Sequence, residues 1–150
     1  MGQYERDQSM AREKVVVDAS VVVKWFLEEA FSDKALLLRD KYISGQIRLV
    51  SPSIMPYEVL NALRYTGVYS KEELAAVVRS LERYGIELWE LRRTYGERVA
   101  EVAIELDVSV YDAGYTTLAQ ITNARLVTAD EEVVAKAKNL IEVEHVKDLT

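Results

Sequence analysis

The chain has 150 residues, 49% of them hydrophobic and 29% charged, and a formal net charge of −6. Such a length and balance fit one globular domain, large enough to bury about two-thirds of the surface its unfolded chain exposes. No apolar run approaches the roughly 20 residues of a membrane-spanning helix, and the absence of cysteine excludes disulfides and thiolate metal sites.

A cytoplasmic protein with no membrane attachment is therefore the expectation. The acidic total argues against broad electrostatic attachment to nucleic acid. It leaves room for a local basic rim, for which Lys24, Arg39, Lys41, Arg48, Arg64, Arg92 and Arg93 are the candidates. Residues 1–13 are polar and of mixed charge, without the apolar core of a signal peptide. They read as a flexible N-terminal extension to a single domain over residues 14–150.

In chain order, three consecutive valines in Lys14–Asp18 predict a strand buried on both faces, because β-branched side chains fit a pleated, enclosed strand. A helix is expected over Ala19–Glu29, with Asp18 or Ser20 able to cap it and Val22, Val23, Phe26 and Leu27 as its apolar stripe. Ser32 and Asp33 open a second helix through Ile43, which Gly45 ends, and Ile47–Ser51 is the next strand, closed by Pro52. Pro56 suits the first turn of a helix over Met55–Thr66, with Val59, Ala62 and Leu63 facing the core and Glu58, Asn61 and Tyr65 on another stripe. Ser70 and Glu73 form a capping-box pattern for a helix ending at Gly85, and Ile86–Leu91 alternates like an edge strand. Thr94 and Glu97 repeat the capping pattern, and a further helix is expected over Tyr111–Thr122. Arg125–Thr128 is strand-like, Glu131–Asn139 helical and Ile141–His145 a last strand. Strands alternating with helices argue for a mainly parallel sheet covered on both faces.

Four acids, Asp18, Glu58, Asp112 and Asp130, fall at strand ends or helix starts. Each has a plain structural reading. Asp18 suits a helix cap, Asp112 completes a capping box with Ser109, and Asp130 lies inside the capping pattern Thr128–Glu131. Glu58 is harder to dismiss, because it adjoins Val59 and Leu60 in a helix that reads as buried, where an unpaired carboxylate is costly. In this topology, acids so placed converge on one edge of the sheet. Two carboxylates about 5 Å apart repel by roughly 3 kcal/mol at an effective dielectric near 20, so three or four together take up protons or a cation. An all-oxygen donor set without cysteine or histidine favours Mg²⁺ or Mn²⁺ over zinc. Such an ion suits phosphodiester hydrolysis, since it acidifies a bound water and stabilises charge on a phosphoryl oxygen.

The segments VVVDASVVVKWFLEE, PSIMPYEVLNAL and VSVYDAGYTTLAQITNARLVTADEEVV together resemble the PIN-domain ribonucleases, especially toxins of the VapBC type. The resemblance runs from Lys14 to the C-terminus. It implies a three-layer α/β/α sandwich with about five strands, and a Mg²⁺ site at Asp18, Glu58, Asp112 and Asp130, with Asp130 the position that varies most among relatives. Ser20 and Asn61 match supporting or substrate-binding positions, and Thr128 precedes the fourth acid as in the family pattern. The resemblance further implies two metal ions in some states and in-line attack of water that leaves a 5′-phosphate. It also implies a homodimer and a small VapB-type antitoxin whose arginine enters the acidic groove. An endoribonuclease toxin is the expectation, with a catalytically inactive RNA- or protein-binding PIN-like module as the alternative. A phospho-acceptor receiver domain would want an acidic pair after the first strand, and a dehalogenase-type phosphatase an acid at position 20, where Ser20 stands. His145, the single histidine, reads as structural or surface, and Trp25, Phe26 and Trp89 as packing or interface residues rather than base-stacking platforms. Tyr111 and Tyr115 either line the groove or pack on each other at i, i+4.

Overall fold

The computed structural model describes residues 12–150. The expected N-terminal extension lies mostly outside the described residues. Its last two positions do not: Arg12 donates to the Gly45 carbonyl at 3.0 Å and Glu13 pairs with Ile47. A five-stranded sheet forms the centre, made of β1 (Glu13–Val17), β2 (Ile47–Pro52), β3 (Glu87–Trp89), β4 (Arg125–Thr128) and β5 (Val143–His145). All neighbouring strands pair in parallel, in the order β3-β2-β1-β4-β5. The helices are α1 (Ala19–Val22), α2 (Ser32–Ile43), α3 (Met55–Tyr65), α4 (Lys71–Tyr84), α5 (Arg93–Leu106), α6 (Val110–Thr122) and α7 (Glu131–Ala137).

The valine run behaves as its composition demands. Val15, Val16 and Val17 expose no surface, and Val16 lies in register with Val50 on one side and Leu126 on the other. Burying each such side chain contributes about 1.5–3 kcal/mol. Helix α6 lies across β1, β2 and β4 with α5 packed on it, while α1, α2 and α3 cluster with α1 against β4 and α2 against β2. The expected α/β/α sandwich is the observed architecture.

Strand order places the site. From β1 the chain moves outward to β2 and β3, then returns to the far side of β1 for β4 and β5. The reversal falls between β1 and β4, and a crevice opens at the carboxyl ends of the strands at such a point. There the Asp18 N–H donates to the Val127 carbonyl at 3.1 Å, and the buried Ser51 hydroxyl donates to the Val17 carbonyl at 2.9 Å.

Local signals set most boundaries. Ser70 and Glu73 form the full capping box of α4, and Gly85 (φ +64°) ends that helix in the left-handed conformation that glycine adopts without strain. Four expectations are corrected. The first helix stops early: α1 gives way to a 3₁₀ turn over Val23–Trp25, because long-range contacts claim the chain that follows. The Trp25 indole N–H reaches the Ala35 carbonyl at 3.0 Å, and the Ser32 hydroxyl bonds both the Leu27 carbonyl and the Glu29 N–H. Lys24 is no part of a basic rim, since its ammonium is buried against Glu29 at 3.0 Å and the Ala30 carbonyl at 2.7 Å. Ala62 is exposed, because only the Met55, Val59 and Leu63 face of α3 meets the core. Thr94 does not cap α5, which begins at Arg93, one residue earlier. Packing sets that start: Tyr95 stacks edge-on against Trp89 and donates to the Gly114 carbonyl of α6 at 2.9 Å. His145, Trp25 and Trp89 are structural, as expected, with His145 bonded to the Ala129 carbonyl and to the Lys147 N–H.

Leu126 is fully buried beside β1. Leu126→Ala is expected to cost about 2–5 kcal/mol, read from urea unfolding as a lower midpoint at an unchanged slope.

Candidate active site

Asp18 occupies the N-cap position of α1, yet its side chain makes no capping bond. Its Oδ2 instead accepts from the Ser20 hydroxyl at 2.6 Å and the Thr128 hydroxyl at 2.9 Å. Ser20 in turn accepts from the Ala129 N–H at 3.0 Å, and Thr128 from the Asp130 N–H at 3.1 Å. The ends of β1 and β4 are thus joined through one carboxylate oxygen and two hydroxyls. The capping explanation of Asp18 fails here because the side chain points across the strand ends rather than back along its own helix.

Glu58 stands in the first turn of α3 and Asp112 in the first turn of α6. Both positions benefit from the positive end of a helix, an effect of about 0.3–1 kcal/mol. Glu58 is half-buried, and its Oε1 accepts from the Tyr115 hydroxyl at 2.7 Å. Tyr115, which sequence reasoning offered only as a groove-lining or packing residue, is here the partner of Glu58. It lies three positions after Asp112 on α6, and a buried tyrosine needs a partner for its hydroxyl, but nothing along the chain points that hydroxyl at residue 58. Tyr111 is exposed while Tyr115 is buried, so the two do not pack on each other.

Asp130 keeps its structural role, whereas Asp112 takes part in its capping pattern through its N–H alone. The Ser109 hydroxyl caps α6 by accepting from the Asp112 N–H at 3.0 Å. Asp130 is exposed, and its Oδ1 caps α7, accepting from the Glu132 and Val133 N–H groups at 2.9 and 3.3 Å. The capping residue of α7 is therefore Asp130 itself and not Thr128, whose hydroxyl is committed to Asp18. Asn61 is exposed one turn beyond Glu58.

Electrostatics ties these acids together. Burial is the main cause that raises the Asp18 carboxyl above the ordinary range; its two hydroxyl partners oppose the shift and the charge of Asp112 adds to it. Glu58 is raised by burial first, with Tyr115 opposing and the charges of Asp18 and Asp112 adding. Asp112 is raised by burial and then by the charge of Asp130. None of the four forms an ion pair with Lys or Arg among the described residues. Lys136 bears on Asp112 only at a distance, being engaged with Glu132 at 3.1 Å and with the Asp107 carbonyl at 2.7 Å.

As the side chains stand, no three Asp, Glu, His or Cys among the described residues form a group that could hold a metal ion. The chemistry of the donors does fit a hard divalent cation: oxygen ligands, raised proton affinity and no ion-pair partner.

Comparison with known proteins follows the same line. The PIN domain family model matches residues 15–139. Exonuclease VapC9 of Pyrobaculum aerophilum is 32% identical over 105 residues, covering 70% of this chain and 79% of that protein. Ribonuclease VapC3 of the same organism is 27% identical over 139 residues, covering 85% and 98%. Among solved structures, VapBC2 from Rickettsia felis bound to a DNA fragment from its promoter superposes with a TM-score of 0.63 at 16% identity, over 88% of this chain and 98% of that one.

A carboxyl whose folded pKa is raised contributes stability that is complete below its unfolded pKa, about 4. That contribution is lost as pH rises through the folded value. For Asp18, whose folded pKa is raised, the replacement Asp18→Asn is expected to melt above the wild type at pH 7 in EDTA. Each 1 kcal/mol relieved raises the midpoint by roughly 2–4 °C in a chain of this size. The gap is expected to close below about pH 4, as read by calorimetry across the pH range.

Proposed function

We propose, on the premise that this chain belongs to the PIN-domain family and to its VapC branch, that it is a Mg²⁺-dependent endoribonuclease and the toxin of a toxin–antitoxin pair. The observation that supports the reading is that Asp18, Glu58 and Asp112 are all raised by burial, that Asp18 and Glu58 both feel the charge of Asp112, and that none of the three has a Lys or Arg ion-pair partner among the described residues. A structural ion-pair network would have supplied that partner.

Asp18 and Asp112 are the proposed direct ligands, with Glu58 holding the cation directly or through a water. Asp130 adds negative charge while capping α7. Mg²⁺, or Mn²⁺ in its place, would supply Lewis-acid stabilisation of a phosphoryl oxygen and a water of lowered pKa. The chain's own part is positioning. Ser20 and Thr128 aim one Asp18 oxygen and leave the other without a side-chain partner among the described residues. Asn61, exposed one turn beyond Glu58, is proposed to donate to a phosphate or ribose oxygen. A VapB-type antitoxin is proposed as the protein partner. A second copy of this chain is proposed to cover the apolar groove of about 260 Å³ that Tyr57, Leu91, Val110 and Tyr111 help to line.

Purified wild type is expected to cut mixed RNA with Mg²⁺ and to stop in EDTA, while Asp18→Asn and Asp112→Asn fall by on the order of 100-fold or more. Equal cleavage by all three would mean a contaminating nuclease or a wrong site. A circular RNA, which has no ends, decides between internal and terminal cleavage: linearisation is expected, and resistance of the circle alone would favour an exonuclease. An antitoxin whose arginine meets these acids is expected to bind Asp112→Asn more weakly; unchanged affinity by calorimetry would count against that contact.

A further inference from the structure

Tyr115 is 2% exposed and lies on α6, the helix that spans β1, β2 and β4 and also carries Asp112. Its hydroxyl donates to Glu58 Oε1 at 2.7 Å and is the only side-chain hydrogen-bond partner of Glu58 among the described residues. Glu58 comes from α3, an element that packs on α1 and α4. The bond is therefore a direct polar tie between the helix bearing Glu58 and the helix bearing Asp112.

Resting on the nuclease reading above, we infer that Tyr115 is a positioning residue, which holds one oxygen of Glu58 so that the carboxylate presents its other oxygen to the cation and substrate side of the crevice. One feature separates this from ordinary packing. A buried phenol could satisfy its hydroxyl on a backbone carbonyl, as Tyr95 does on Gly114 and Tyr42 on Tyr84; Tyr115 instead gives it to a carboxylate.

The test compares full-length wild type, Tyr115→Phe, Glu58→Gln and the double variant. Mn²⁺ binding is measured by calorimetry without RNA, and kcat and KM are measured on RNA. Tyr115→Phe keeps the ring and its packing, and a melting temperature near that of the wild type is expected. Its Mn²⁺ affinity and kcat are expected to fall by on the order of tenfold or more with KM for RNA unchanged. In the Glu58→Gln background the same change should add nothing, because the partner charge is already gone. Wild-type Mn²⁺ affinity in Tyr115→Phe, or losses that simply add in the double variant, would overturn the inference while leaving the nuclease reading intact. A wild type that neither binds Mn²⁺ nor cuts RNA would remove both. Should Tyr115→Phe not fold, the unmutated protein supplies the answer: the Tyr115 hydroxyl proton is expected as a slowly exchanging NMR signal that shifts on titration with Mg²⁺. A signal unmoved at saturating Mg²⁺ would overturn the assignment.

Discussion

Carboxylates drawn together without a cationic side chain are the constraint on which the rest of this protein depends. Burial raises the carboxyls of Asp18, Glu58 and Asp112 alike, with the charge of Asp112 adding to the first two and that of Asp130 to the third. A pair at about 5 Å repels by roughly 3 kcal/mol at an effective dielectric near 20, comparable to the roughly 1.5–3 kcal/mol that a hydrogen bond to a charged group returns. The neutral donors Ser20, Thr128 and Tyr115 can therefore restrain the acids but do not neutralise them.

Holding such a site open requires a rigid floor, and the sheet provides it. The valines of β1 are sealed between β2 and β4, so the backbone leading to Asp18 has no freedom to relax away from its neighbours. The reversal of strand order brings residues 18 and 128, far apart in sequence, to adjacent strand ends. Helices α3 and α6 add Glu58 and Asp112 from their first turns, where exposed N–H groups favour negative charge. At the opposite end of the sheet, Arg125 is paired with Glu13 and Glu144. There one cation faces two acids, whereas Asp18, Glu58 and Asp112 have no Lys or Arg ion-pair partner among the described residues.

Much of this was legible in the chain. The VVV run, the Ser70–Glu73 capping box, Pro56 at the start of α3 and Gly85 after α4 are local signals whose physics acts within a few residues, and they appear where expected. Signals of equal strength failed where distant groups intervened. Thr94–Glu97 lost to the packing of Tyr95 on Trp89, and the helix after Asp18 was cut short by Trp25 and Ser32 reaching across the fold. The acids show the same division. Ser109 caps α6 without a reciprocal bond from the Asp112 side chain and Asp130 caps α7, whereas the cap proposed for Asp18 is replaced by its bonds to Ser20 and Thr128.

By itself the sequence determined the alternation of strands and helices, the buried character of β1 and the identity of acids at element boundaries, because periodicity, capping and β-branching act between near neighbours. Tertiary structure alone decided that Tyr115 meets Glu58, that Thr128 serves Asp18 instead of its own helix, and that Lys24 is spent on a turn. Those outcomes depend on which strand ends and helix faces come to lie side by side, and no short-range rule along the chain carries that information.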